Sequence, residues 1–311
     1  MREALGIDTS NYTTSAAVFH KRSITQRKML LPVKQGELGL RQSDAVFHHV
    51  QQLPQVLEPL LLESGDIGAV GVSTRPRDMQ GSYMPCFTVG MGMAGAIASA
   101  LHVKLYPFSH QAGHIAAALY SAQKLDLIRE KFLAFHVSGG TTEAVLVSPD
   151  PTKVFQVEPA AASLDLKGGQ AVDRVGAMLG LPFPAGPALE QLALHAEEQF
   201  KIKPSMKGAD CSLSGIENQC RRMLDRGCPK EDIASYCIRS ILAALDAMTS
   251  ALVDRYGSLP LVFAGGVMSN SIIREALTKK YGAYFATPEF SADNAAGIAV
   301  LTAIQSGDFV I

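Results

Sequence analysis

Leu5-Gly-Ile-Asp-Thr-Ser-Asn-Tyr-Thr-Thr-Ser-Ala-Ala-Val-Phe19 opens the chain with an apolar run, a polar turn and a second apolar run. Short apolar stretches bounded by Ser, Thr and Asn read as two strands joined by a turn. The pattern returns at Leu133-Ala-Phe-His-Val-Ser-Gly-Gly-Thr-Thr-Glu-Ala-Val-Leu-Val147. At a constant offset of 128 residues Leu5 matches Leu133, Ser10 matches Ser138, Thr13-Thr14 match Thr141-Thr142 and Ala16 matches Ala144. Two short hairpins can share such a pattern by chance, so the rest of the chain has to support the echo. Its physical sense is that a turn rich in Gly, Ser and Thr points backbone N–H groups and hydroxyls outward, toward phosphate or carbonyl oxygens.

Two such turns on duplicated α/β halves, facing one another across a cleft, describe the architecture of actin, the sugar kinases and Hsp70. The expected fold class is therefore α/β: an actin-like (ASKHA, ribonuclease H-like) duplicated two-domain fold with a central cleft. The lobes are expected at residues 1–105 and 106–311, with the last helix packing back on the first lobe. Residues Gln42 to Leu62 are helix-like, with Pro54 expected to divide them into two pieces. Ala69–Ser73 reads as a strand, Gly90–Leu101 as a small-residue helix and Val103–Tyr106 as a strand. Gly169–Leu179 carries Val172, Val175, Met178 and Leu179 at helical spacing. The breaker-rich Pro182-Phe-Pro-Ala-Gly-Pro187 follows, and Ile233–Val253 is a long amphipathic helix leading to a buried strand at Leu261–Ala264.

At 311 residues the chain is long enough for two full cores. A net charge of −1 and a charged fraction of 18% give no bulk attraction to nucleic acid. Any RNA contact rests on local patches such as Lys21-Arg22, Arg27-Lys28, Arg75/Arg77 or Arg221-Arg222, each of which also reads as a solvated face. The nearly apolar run Val89–Leu101 is short and holds three glycines, so it does not span a bilayer. With no charged-then-apolar leader at the start, a cytoplasmic protein with no membrane partner is expected. Five cysteines without C-x-x-C spacing read as reduced thiols rather than a disulfide or zinc framework.

Phe108-Ser-His-Gln-Ala-Gly-His-Ile-Ala-Ala-Ala-Leu119 sets His110 and His114 four residues apart. On a helix these positions share a face, so both imidazoles can reach one metal ion. A zinc peptidase of the H-E-x-x-H kind also needs a glutamate after the first histidine as general base, and Gln111 stands there. The alternative is a pair of solvated or core histidines. Further on, Leu261–Ala264 runs into Gly265-Gly266, and Ser269-Asn270 open a helix. Paired glycines at a strand-to-helix turn let a base or phosphate approach the backbone, although the same residues also make an ordinary capped turn. Ser291-Ala-Asp293-Asn294 opens a last helix, where an acid is favoured by the helix dipole alone.

In this order the motifs resemble the TsaD family of threonylcarbamoyltransferases, which make N6-threonylcarbamoyladenosine in transfer RNA. The resemblance runs from Leu5 to about Leu301. It rests on Gly6–Ser10, the histidine pair, Val137-Ser-Gly-Gly140, Gly169-Gln-Ala-Val-Asp173 and Gly180–Pro184 with Gly186-Pro187. It continues through Ser212-Leu-Ser-Gly215, Ala264–Val267 with Asn270, and Asp293–Ala296.

The resemblance implies one divalent metal ion, Fe(II) or Zn(II), held by His110, His114 and Asp293, with open positions for substrate groups. It implies that Val137, Ser138, Gly139, Gly140 and Thr141 cradle an ATP-derived threonylcarbamoyl adenylate. Asp173, Gly186 and Asn270 would hold its adenosine part beside the Gly265-Gly266 turn. The reaction would be transfer of the threonylcarbamoyl group to N6 of adenosine in tRNA, with AMP leaving. Electrostatic stabilisation of the carbonyl oxygen would dominate, and no covalent enzyme intermediate is required. Asp8, Ser10 and Asn11 in the first turn are the catalytic candidates. The implied partners are tRNA, a paralogous TsaB-like subunit and an ATPase subunit.

Several positions depart from the family. Its first turn usually reads Glu-Thr-Ser-Cys-Asp-Glu-Thr; here two acids are replaced by Tyr12 and Thr13. Ala112 stands where the histidine motif usually has an acid, and Thr141 where a histidine follows Ser-Gly-Gly. Arg75-Pro-Arg-Asp-Met-Gln-Gly81 replaces an Arg-Gly-Pro-Gly loop. Such a chain reads as a divergent paralogue. Two alternatives therefore stand beside tRNA modification: a nucleotide-binding regulatory partner with altered catalysis, and a small-molecule O-carbamoyltransferase.

Overall fold

The computed structural model describes residues 2–10, 12–32, 40–198, 200–290 and 295–311. In chain order it holds β1 (Glu3–Ser10), β2 (Thr13–His20), β3 (Ser23–Leu30), α1 (Gln42–Glu63), β4 (Ile67–Arg75), α2 (Phe87–Ala100), β5 (Lys104–Ser109) and α3 (His110–Ser121). There follow β6 (Phe132–Val137), β7 (Thr142–Asp150), β8 (Val154–Ala162), α4 (Gly168–Met178), α5 (Gly186–Leu194), β9 (Ser205–Lys207) and β10 (Asp210–Ser212). The chain ends with α6 (Ser214–Asp225), α7 (Lys230–Tyr256), β11 (Leu261–Ala264), α8 (Ser271–Tyr281), β12 (Tyr284–Phe285) and α9 (Ala295–Ser306).

Two compact units result. One gathers Met1–Glu130, Ser148–Val157 and Glu289–Ile311; the other holds Lys131–Val147 and Glu158–Pro288. This division does not follow a cut between residues 105 and 106, because β5 pairs with β4 and α3 packs on α9, which keeps both elements in the first unit.

The first unit is built on a sheet of order β3-β2-β1-β4-β5. Alternation along β1 sends Leu5 and Ile7 to one face, against Leu53 and Leu57 of α1 and Ala94 of α2. Ala4 joins the opposite face, with Ala296 and Ala299 of α9. Gly6 shares the α9 face, where an added Cβ would lie 2.4 Å from the Ala299 nitrogen. Its register partner Gly71 has no room either, since a Cβ there would fall 1.8 Å from Thr302 Oγ1. On its other side α9 touches α3: a Cβ on Gly297 would sit 1.8 Å from the Gly113 carbonyl oxygen.

Helix α1 is continuous through Pro54 and Pro59, which corrects the expected break. Its buried stripe of Ala45, His49, Leu53, Val56, Leu57 and Leu60 anchors it along its whole length. Pro54 lies with Val50 on the exposed face, where water can replace the one lost backbone bond.

The second unit repeats the plan, with order β12-β11-β6-β7-β8. Leu5 faces Val18 across the first hairpin and Leu133 faces Leu146 across the second, so the two hairpins share one register at the same offset. In each sheet the central strand pairs antiparallel with the next strand and parallel with a later one. Phe135, Phe263 and Phe285 sit side by side on β6, β11 and β12 and stack at 4.3 and 5.2 Å. Helix α7 is long and apolar enough, by length and composition, to cross a membrane. Half of that stretch is nevertheless buried, with Ile238, Ile241, Leu245 and Met248 in the core of this unit.

The glycine contacts of α9 yield a direct test. Gly297→Ala must push α3 and α9 apart, because the clash is with backbone. Urea unfolding is expected to show a loss of about 3 kcal/mol, whereas the same change at Gly92, where an added Cβ meets open space, leaves stability unchanged or slightly raised.

Candidate functional site

Helix α3 starts at His110 because Ser109 caps it, its hydroxyl accepting the Ala112 N–H at 3.1 Å. The caps are braced by the Arg75–Gly81 loop. Asp78 binds the Arg75 guanidinium and accepts the Ser109 hydroxyl, and Gln111 N–H donates to the Pro76 carbonyl. His110 and His114 share a helix face, their ring centroids 4.7 Å apart, and the edge of Phe87 packs near His110.

Asp8, at the end of β1 and only 1% exposed, lies under this pair. Its carboxylate oxygens are 3.1 and 3.2 Å from His110 Nδ1, and it also accepts the Ser73 hydroxyl from β4. Burial alone would raise the Asp8 carboxyl. The His110 ring and hydrogen bonds from His110, Ser73 and Ser10 outweigh it and hold the carboxyl below the usual carboxylate range. Of the other catalytic candidates, Ser10 is buried at the hairpin end and Asn11 lies outside the described residues. Next to them, buried His49 meets the Thr14 hydroxyl at 2.8 Å, and Thr14 donates to Gln52.

A metal ion at the histidine pair fits the donor chemistry present. Two imidazoles lie side by side, and a carboxylate on His110 Nδ1 is the usual partner of a metal-bound histidine. Among the described residues no group of three or more His, Cys, Asp or Glu forms a metal cage, and Asp293, the expected third ligand, lies outside them. Cys86 and Cys211 are buried, and that burial pushes both thiols up to about 11, away from the thiolate a nucleophile needs.

The second unit contains a cavity of about 340 Å³. Val172, Ile238, Ile241 and Ile273 make apolar walls, while Asp173, Glu190 and Asn270 bring polar groups to it. Of the residues singled out in the sequence, Gly139, Asp173, Gly186, Gly266 and Asn270 line this cavity together. Val137 and Gly265 form its support. Gly265 has φ +100°, and a Cβ there would lie 2.3 Å from the Val137 carbonyl oxygen. The Ser138–Thr141 turn is closed on itself, Ser138 N–H donating to the Thr141 carbonyl and Thr141 N–H to the Ser138 hydroxyl. Gly139 and Gly140 are exposed on it, with open space where side chains would be. Gly169 lets α4 abut this turn, since a Cβ there would lie 2.5 Å from the Gly139 nitrogen.

Two of the cavity's polar residues already serve the fold. One Asp173 oxygen accepts the Ala185 N–H at 3.0 Å, and Asn270 caps α8 by accepting the Ile273 N–H. Glu190 was not singled out from the sequence. It accepts the Ser271 backbone N–H and hydroxyl and reaches the cavity because α5 begins at Gly186, one turn earlier. That Gly-Pro helix start was the available signal.

Residues 26–300 match the family described as TsaD, tRNA N6-adenosine threonylcarbamoyltransferase. The chain belongs to this family. A TsaD relative from Methanopyrus kandleri is 28% identical over 270 residues, 84% of this chain and 75% of its own. Another, from Chelativorans sp. strain BNC1, is 30% identical over 331 residues, 96% of this chain and 88% of its own. The solved structure of component A of the Acidaminococcus fermentans (R)-2-hydroxyglutaryl-CoA dehydratase matches with a TM-score of 0.58 at 18% identity, covering 99% of this chain and 100% of that one. That likeness concerns the fold alone, and together with the repeated sheets it identifies the actin-like α/β class.

Within TsaD terms, the replaced positions have ordinary surroundings. Tyr12 is half-exposed, and Ala112 is buried under the α3 cap. The Ser212–Gly215 motif is fastened by Asp165, which accepts Leu213 N–H, Ser214 N–H and the Ser214 hydroxyl at the start of α6. Burial opposes the Asp165 charge, but the Ser214 hydroxyl and the Leu213, Leu166 and Ser214 amides hold the carboxyl below its ordinary value. A carboxyl lowered in the folded state stabilises above its unfolded pKa, and that contribution is lost as pH falls through the folded one. Asp165→Asn should therefore cost about 1 kcal/mol near neutral pH, a figure reduced for exposure. Urea midpoints should show the gap to the parent protein closing once the pH drops below about 4.

Proposed function

We propose that this chain transfers a threonylcarbamoyl group from threonylcarbamoyl-AMP to N6 of adenosine in tRNA, acting in the cytoplasm with a TsaB-like subunit and an ATPase subunit. Family membership over residues 26–300 supports the reaction class. The observation that carries the substrate reading is the second unit's cavity, with apolar walls and polar groups from Asp173, Glu190 and Asn270. An adenine ring suits the walls and ribose hydroxyls suit the carboxylates. The exposed Gly139-Gly140 backbone offers N–H groups to the donor's phosphate.

In the reaction the N6 amine attacks the carbonyl carbon of the carbamoyl group. The bond from that carbon to the phosphate oxygen breaks, AMP leaves with the electron pair, and the amine proton is released. His110, His114 and Asp293 would hold a divalent ion, which when bound supplies charge for orienting and polarising the acyl donor. The chain's own residues bind and orient: the cavity fixes the adenosine, and Asp8 fixes His110.

A second reading is favoured by one observation. Neutral Tyr12, Thr13, Ala112 and Thr141 occupy positions where the family has ionisable groups, which suits a nucleotide-binding partner that regulates an active paralogue. An O-carbamoyltransferase would use the same donor chemistry on a small hydroxyl acceptor.

The readings separate in one reconstitution. Purified protein, the adenylate donor, the partner subunits and unmodified tRNA are expected to give the modified nucleoside by mass spectrometry. AMP binding without modified tRNA in any such mixture sinks the enzyme reading. Calorimetry should show Asp173→Ala weakening AMP binding about tenfold, the size of one lost hydrogen bond to a charged group, with unchanged affinity placing the nucleotide elsewhere.

A further inference from the structure

We propose that Asp8, itself oriented by Ser73, sets the tautomer of His110 so that the Nε2 lone pair is presented to a metal ion. The assignment rests on reading His110 and His114 as metal ligands. Asp8 is then a positioning residue that never touches substrate.

The geometry is specific. Asp8 and Ser73 sit on adjacent strands β1 and β4 and are 1% and 0% exposed. A hydroxyl needs an acceptor when buried, and Ser73 donates to Asp8 Oδ1. Both oxygens face His110 Nδ1, Oδ2 at 3.1 Å and Oδ1 at 3.2 Å. An ionised carboxylate only accepts, so Nδ1 must carry the proton and a neutral His110 has its lone pair on Nε2. Phe87 against the ring limits its swing. Carboxylate partners of this kind typically change metal affinity 10–100-fold.

The experiment uses the full-length protein and Zn²⁺ alone as probe. Asp8→Asn removes the charge and replaces one of the two oxygens that face Nδ1 with an NH₂ that cannot accept its proton. The preference for Nδ1–H weakens, and Nε2–H, which blocks the lone pair a metal needs, gains population. Competition titration is expected to show Zn²⁺ affinity falling about 10–100-fold, and ¹⁵N chemical shifts in metal-free protein should show His110 moving from the Nδ1–H toward the Nε2–H tautomer.

Wild-type affinity in Asp8→Asn, with His110→Ala still lowering it, overturns this assignment alone. Zinc uptake indifferent to His110→Ala, or absent, overturns the metal reading and the assignment with it. Should Asp8→Asn fail to fold, the tautomer of His110 in metal-free wild type decides: a proton on Nε2 overturns the proposal, and one on Nδ1 supports it.

Discussion

The first unit depends on how closely α9 can approach its neighbours. Its backbone occupies the volume that a side chain at position 6 would fill, its Thr302 side chain fills that at position 71, and at Gly297 it meets the backbone of α3 at Gly113. Only glycine at these points lets one helix lie against both the sheet and α3. The consequence reaches the histidine pair. Helix α3 carries His110 and His114, β1 carries Asp8, and α9 begins two residues beyond Asp293. The packing that secures the core thus also fixes the backbone on which the histidine pair is mounted.

The repeated hairpin explains why such a site could arise in a duplicated chain. Both hairpins share one register, yet their turns have diverged. At the central-strand position where the first hairpin has Asp8, the second has His136, 128 residues on. The first hairpin buries a charge and must supply it with donors from Ser73 and His110. The second ends in Gly139-Gly140, leaving bare backbone beside a cavity. One scaffold therefore presents a fixed carboxylate in one copy and open N–H groups in the other.

The duplication was legible because a hairpin's period and turn chemistry are local, and so was the helical spacing of the histidines. What the sequence hid was set by distant contacts. Pro54 reads as a break, but the buried stripe from Ala45 to Leu60 outweighs one missing hydrogen bond. The boundary near residue 105 ignores that α3 finds its partner in α9, nearly two hundred residues later. Glu190 and Ser73 carry no motif of their own. Each matters only because a strand or helix from elsewhere brings a partner to it, Ser271 in one case and Asp8 in the other.

The neutral residues at positions 12, 13, 112 and 141 remove ionisable groups, and the proposed reaction asks little of such groups at its leaving group. An acyl adenylate is already activated, since its phosphate departs as a stable anion and needs no general acid. Charge developing on the carbonyl oxygen is stabilised by positioned dipoles and cations, and the proton lost by the attacking amine passes to solvent where no carboxylate stands beside it. For the proposed transfer the chain offers a histidine pair over a buried carboxylate and an open glycine turn. In that proposal the missing acids would act through orientation of donor and acceptor, where displacements on the order of 1 Å can alter rate a hundredfold, and the altered first turn would bear on which acceptor fits.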